Sequence, residues 1–159
     1  MQRELPTRKN IRLNNYDYSA AGYYFITMCV KDKHEMLGNV VGTNCVRLRL
    51  SEYGIIVEKE ISVLANTYDA VAIDKYIVMP NHIHMIIVIK SDSSGRTQFV
   101  PTISRIIKQF KGSITKQIGF SLWQPRFHDH IIRDEAEYQR IWQYIDENPA
   151  RWAEDDYYI

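Results

Sequence analysis

A chain of 159 residues, 45% hydrophobic and 25% charged, has the proportions of a soluble globular protein with one sizeable core. Two features exclude a membrane-spanning or disulfide-stapled chain. No apolar run is long enough to cross a bilayer, and Cys29 and Cys45 make neither a disulfide framework nor a metal-type spacing. A formal net charge of +1 does not by itself suggest a nucleic-acid partner. The opening Met-Gln-Arg-Glu-Leu-Pro lacks the apolar centre of a signal peptide, so a reducing cytoplasm is expected.

In chain order, residues 1–21 are polar and read as an arm leading into a single domain that takes in all of residues 1–159. Gly22 to Val30 is dense in aromatic and β-branched residues and predicts a strand. Met36–Val41 and Cys45–Leu50 predict a small hairpin around Gly42-Thr43-Asn44, with Arg47 and Arg49 on its wet side. Ser51 is placed to cap a helix whose stripe includes Tyr53, Ile56, Val57, Ile61 and Leu64. Ala70 to Met79 predicts the next strand. Pro80-Asn81 then links it tightly to an antiparallel neighbour beginning at His82.

In that neighbour His82, His84, Ile86 and Val88 share one face, and Ile83, Met85, Ile87 and Ile89 the other. Apolar residues on both faces predict a central strand covered on both sides. Ser91 to Gly95 reads as a flexible loop. From Pro101 to about Ile118, Ile103, Ile106, Ile107, Phe110 and Ile114 form a helical core stripe, with Arg105, Lys108 and Lys111 off it and exposed to solvent or phosphate. A short strand follows over Phe127–Ile132. A last helix starts at Asp134 and ends near Asn148, because Pro149 disfavours helical geometry in the residue before it. Set apart from the hairpin and last helix, the order is β-α-β-β-α-β. That predicts an α+β, ferredoxin-like antiparallel sheet with two helices on one face. The last helix is left to lie on or beside the face to which the histidines can point.

His82 and His84, two apart on a strand, stand about 7 Å apart by rise alone and form a ready pair of metal ligands. Two partly buried histidines bonded to backbone are the plainer alternative. Tyr144 and Asn148 are spaced i, i+4 on the last helix and share a face. A tyrosine hydroxyl, with an ordinary pKa of about 10, needs a metal or base to act as a nucleophile. A core aromatic and a helix cap are the plain readings of these two residues. Tyr138, six positions earlier, falls roughly on the far side of the helix and has Trp142 where an amide would be needed. Charge is distributed unevenly. No acidic residue occurs from Ser93 through His128, where Arg96, Arg105, Lys108, Lys111, Lys116 and Arg126 all fall, and Arg3, Arg8, Lys9 and Arg12 add to the N-terminus. After Asp129 the chain turns acidic. Such asymmetry permits a basic groove on a neutral protein.

Several stretches together resemble the REP-associated tyrosine transposases, which belong to the single-tyrosine HUH transposases of small insertion sequences. They are Met79-Pro80-Asn81-His82-Ile83-His84, Trp123-Gln124-Pro125-Arg126-Phe127, His130-Ile131-Ile132-Arg133, and Tyr144-Ile145 with Asn148-Pro149 and Trp152. The opening from Arg12 to Thr27 also fits. The resemblance implies a metal-dependent nuclease and strand transferase acting on single-stranded DNA beside a hairpin. It implies His82 and His84 as the paired ligands, Asn148 as the third, and Tyr144 as the nucleophile that takes a 5′-phosphate and leaves a free 3′-hydroxyl. Mg²⁺ or Mn²⁺ is the implied ion, although two imidazoles suit a transition metal better than Mg²⁺. Arg12, Arg105, Lys108, Lys111, Arg126 and Arg133 are the expected DNA contacts, and His130 is expected to be structural or DNA-contacting. The expected partner is single-stranded DNA with a hairpin, no membrane is expected, and the protein is expected to be a monomer or a homodimer. The alternative from another class is a non-catalytic single-stranded nucleic-acid-binding module of ferredoxin-like fold. A water-using metallohydrolase ranks lower, since no His-X-His-X-Asp-His pattern is present.

Overall fold

The computed structural model of the chain describes residues 13–91 and 99–158. Most of the expected arm, including Arg12, and most of the expected loop after Ser91 lie outside the described residues. Four strands form the main sheet: β1 (Gly22–Cys29), β4 (Val71–Val78), β5 (His82–Ile89) and β6 (His128–Ile132), in the order β4-β5-β1-β6 with every pairing antiparallel. A separate hairpin is made by β2 (Gly38–Val41) and β3 (Arg47–Leu50). The helices are α1 (Glu52–Thr67), α2 (Ile103–Ile118) and α3 (Glu135–Glu147). The architecture is the ferredoxin-like split arrangement, with the hairpin inserted after the first strand and α3 appended after the last.

Each helix begins where a short polar side chain satisfies an N-terminal amide. Ser51 Oγ accepts from the Gly54 N–H, Thr102 from that of Arg105 and Asp134 from that of Glu137. The α2 stripe Ile103, Ile106, Ile107, Phe110 and Ile114 is buried throughout. With Val57, Ile61 and Leu64 of α1 it packs on Tyr24, Ile26 and Met28 of β1 and on Ile83, Met85, Ile87 and Ile89 of β5. Both helices therefore cover the alternate residues of the sheet, and the histidine face looks the other way.

On the histidine face the register sets Thr27 beside His84 and Cys29 beside His82, while His128 pairs with Thr27 and His130 with Phe25. α3 crosses this face along β4 through mainly polar contacts. Lys75 Nζ donates to Asp146 at 2.7 Å and sits 3.8 Å from the centre of the Trp142 ring. A register shift between Ile73 and Lys75 leaves Asp74 as an extra residue, and its carboxylate accepts a 2.6 Å hydrogen bond from Tyr138 Oη. Only Ile145 of α3 is fully buried. No described helix is long and apolar enough to cross a membrane.

Candidate active site

β5 is paired on both sides, and its first residues carry His82 and His84, at 0% and 1% exposure. Their rings lie 4.6 Å apart. A partner on Nδ1 orients each. Asn81 donates from Nδ2 to the carbonyls of Lys33 and Tyr157, at 3.2 and 2.7 Å, which turns its Oδ1 toward His82 Nδ1 at 2.8 Å. His82 must then carry its proton on Nδ1, leaving the Nε2 lone pair bare. Thr27 Oγ1 lies 2.8 Å from His84 Nδ1 and adjoins Tyr157, so a hydroxyl that donates to Tyr157 accepts from His84 and leaves that Nε2 bare as well. Both Nε2 atoms are buried without a hydrogen-bond partner. Burial, above all, pushes the pKa of His82 down to about 4 and that of His84 well below the ordinary value.

The loop that holds Asn81 is itself held under strain. Asp32 and Lys33 both take left-handed backbone angles, φ 57° and 55°, and the Lys33 carbonyl meets the Asn81 amide.

Tyr144 projects from α3 toward the same spot. Its ring centre is 5.2 Å from that of His84 and 6.3 Å from that of Phe25, while the residue stays 43% exposed along an open cleft of about 400 Å³. Burial, then the charges of Asp155 and Asp156, push its hydroxyl up to about 12, and Asn148 pulls the other way. Asn148, one turn on and 2% exposed, gives its Nδ2 hydrogen to Asp155 Oδ2 at 2.7 Å. A carboxylate can only accept, so the amide is fixed with Oδ1 free, and that atom too is buried without a partner.

The site also includes Asp155 and Tyr157, from a stretch that stands out in the sequence only as part of the acidic region after Asp129. Asp155 lies with His82 and His84 in a cluster whose ligand atoms are all within 4.8 Å of one another. Tyr157 stacks on His82 with ring centres 4.4 Å apart. No local periodicity announces either residue. The available signal was the proximity in sequence of Asp155 to Asn148.

Other expected residues fall elsewhere. Arg105 and Lys108 are exposed on α2, whose packing face covers the side of the sheet opposite the histidines. Lys111 was expected to be exposed. Its ammonium instead donates to the carbonyl oxygens of Gln124 and Arg126, at 2.7 and 3.3 Å, because α2 passes close to the Trp123–Arg126 loop. That loop hydrogen-bonds along the end of β1, Gln124 N–H to the Cys29 carbonyl, so exposed Arg126 stands at the histidine end of the sheet. His130 Nε2 bonds Glu137 of α3, whose other oxygen accepts from the Arg133 N–H. Tyr138 was expected on the far side of α3. It faces the sheet instead, packing edge-on against Tyr23, since six residues of helix amount to a net offset of only about a third of a turn.

The fold and the site define a class: ferredoxin-like α+β proteins in which a strand-borne histidine pair faces a tyrosine on an appended helix. No family model matches the chain. A Haemophilus influenzae protein of uncharacterised function is 33% identical over 96% of this chain and 93% of its own length. A second protein of that species, named for the REP-associated tyrosine transposases, is 25% identical over 87% of this chain and 77% of its own length. The Escherichia coli REP-associated tyrosine transposase is 34% identical over 50% of this chain and 44% of its own length. A solved REP-associated tyrosine transposase bound to a REP hairpin superposes with a TM-score of 0.66 at 21% identity, covering 89% of this chain and 73% of that one. The chain is thus homologous to proteins named REP-associated tyrosine transposase and shares the fold of that solved structure.

Proposed function

We propose that the protein is a metal-dependent nuclease and strand transferase of single-stranded DNA that forms a 5′-phosphotyrosine at sites beside DNA hairpins. The observation that carries this reading is the meeting of Tyr144 with three buried, unpartnered electron-pair donors, Nε2 of His82 and of His84 and Oδ1 of Asn148. Such a donor set fits a divalent cation, because each atom is costly to bury with nothing to bind. His82, His84 and Asn148 would hold it, with Mg²⁺ or Mn²⁺ as the candidates. The ion would supply positive charge against the negative charge that develops on the scissile phosphate.

The residues of the chain do the rest. Tyr144 is half exposed, so its hydroxyl can meet a phosphate entering along the cleft beside α3. Its oxygen loses its proton and attacks phosphorus, the bond to the 3′-oxygen of the preceding nucleotide breaks and that oxygen takes up a proton as a 3′-hydroxyl, and a second 3′-hydroxyl can later reverse the exchange. One phosphodiester replaces another, so no nucleoside triphosphate is required. Burial and the charges of Asp155 and Asp156 push the pKa of Tyr144 up to about 12, so the free hydroxyl keeps its proton and a bound cation would be needed to favour its loss. Asn148 sits one helical turn from Tyr144 on the same face and ties the position of the oxygen to that of the histidines. Arg126 and Arg133, exposed on either side of β6, together with Arg105 and Lys108 on α2, are the proposed backbone contacts.

The test is incubation of the protein with single-stranded hairpin oligonucleotides and Mn²⁺, scored for a covalent protein–DNA adduct. Tyr144→Phe should fold and bind DNA yet form no adduct, while Tyr138→Phe should react as the wild type does. An adduct formed by Tyr144→Phe would remove that residue as nucleophile. A wild type that binds hairpins without cutting any of them would favour the non-catalytic binding module.

A further inference from the structure

We propose that Asp155, carried by the C-terminal segment, is an anionic ligand of the ion bound at His82 and His84, and that it sets the preference of the site for hard divalent cations. The inference rests on the metal-centre reading above and extends it to a residue outside the strand and helix motifs.

The side chain of Asp155 is 1% exposed, and its Oδ2 lies 4.0 Å from His82 Nε2. That separation is too long for a hydrogen bond. It suits two atoms that share a third partner between them. Among the described residues the hydrogen-bond donors to this carboxylate are neutral, Asn148 Nδ2 at 2.7 Å on Oδ2 and the Tyr157 N–H at 2.8 Å on Oδ1. Among the described residues no lysine or arginine is paired with it. A buried carboxylate without a counter-charge is expensive, and here it faces two bare imidazole lone pairs. Electron-pair donors repel one another unless a cation lies among them. A divalent cation placed among them would offset that repulsion.

The carboxylate cannot swing away to relieve this repulsion. Trp152 is buried beside His82, ring centres 5.9 Å apart, and starts the short 3-10 turn that ends at Asp155. Beyond it Tyr157 lies over His82, and its carbonyl accepts the Asn81 Nδ2 hydrogen. Lys33 Nζ reaches the Asp156 carbonyl at 3.4 Å. Asn81 thus orients a ligand histidine with one end of its amide and fastens the C-terminal segment with the other. Two imidazoles and an amide make a neutral set that suits nickel or zinc, and one carboxylate moves it toward manganese and magnesium.

The experiment measures Mn²⁺ and Ni²⁺ binding to the full chain without DNA, by calorimetric titration, in the wild type, His84→Ala, Asp155→Asn and Asp155→Ser. Circular dichroism checks each fold. The expected result is one Mn²⁺ per wild-type chain and none in His84→Ala. Both Asp155 variants should bind Mn²⁺ at least about tenfold more weakly and lose less for Ni²⁺. Asp155→Ser serves if Asp155→Asn is misfolded. A wild type that binds no Mn²⁺ overturns the metal centre itself. Wild-type Mn²⁺ affinity in a folded Asp155 variant, with His84→Ala inactive in binding, overturns the role of Asp155 alone. An equal loss for both ions makes Asp155 a positioning residue for Asn148 and overturns the ligand assignment.

Discussion

His82 and His84 are neutral bases held where protonation is disfavoured, and this has a consequence for acid stability. With its pKa depressed to about 4, His82 takes up a proton less readily in the folded chain than in the unfolded one, whose value is the ordinary 6.5. The unfolded state therefore binds more protons between these values, and stability falls as pH drops through that window. For His82 alone the expected loss from pH 7 to pH 5 is about 2 kcal/mol in chelator. Urea unfolding at the two pH values measures it, and a His82→Gln variant should lose much less. The histidine pair and the Tyr144–Asn148 pair were legible in the sequence because each obeys a local rule, period two on a strand or one turn on a helix. Asp155 obeys none. It reaches the site through an irregular turn fixed by Trp152 and by Asn81, both of which are tertiary contacts.

At the scale of elements, two glycines in helices should respond oppositely to the same substitution. A Cβ on Gly54 would stand 2.0 Å from the Leu37 carbonyl oxygen, a backbone atom of the stretch leading into the hairpin. Gly54→Ala gains about 1 kcal/mol of helix propensity, but the overlap costs more, and a net loss of about 1–3 kcal/mol is expected. Gly112 in α2 is exposed, with nothing within 4 Å of its Cβ position. Gly112→Ala should therefore stabilise by up to about 1 kcal/mol. Thermal melts of the two variants beside the wild type decide both. Every strand and helix of the sheet domain was legible from apolar spacing and caps. The extra residue at Asp74 was not, because a bulge is a property of the pairing and leaves no mark on one strand alone.

For the molecule as a whole, the uneven charge was visible in the sequence, but the surface each basic residue faces was not. Helix periodicity tells which residues of α2 are buried and is silent on which side of the sheet the helix covers. Arg126 and Arg133 are exposed just before and just after β6, the strand next to β1, whereas Arg105 and Lys108 ride on the helix layer. If single-stranded DNA crosses the site, Arg126→Ala with Arg133→Ala should flatten the dependence of log K on log salt by about 1.4, roughly 0.7 for each lost phosphate contact. Binding isotherms at several salt concentrations measure the slope. The same pair of measurements on Arg105→Ala with Lys108→Ala tests contact with the helix layer, and an unchanged slope assigns those two residues to solvated surface.

The halves of the site rest on parts of very different stiffness. β5 is hydrogen-bonded along both edges and buried on both faces, so its amides open only with the whole sheet. α3 has one fully buried residue, Ile145, and meets the sheet through the Lys75–Asp146, Tyr138–Asp74 and His130–Glu137 pairs, each partly open to water. Deuterium should therefore enter the backbone of α3 well before that of β5. Opening of the helix from the sheet is then expected at a free-energy cost far below that of unfolding the protein.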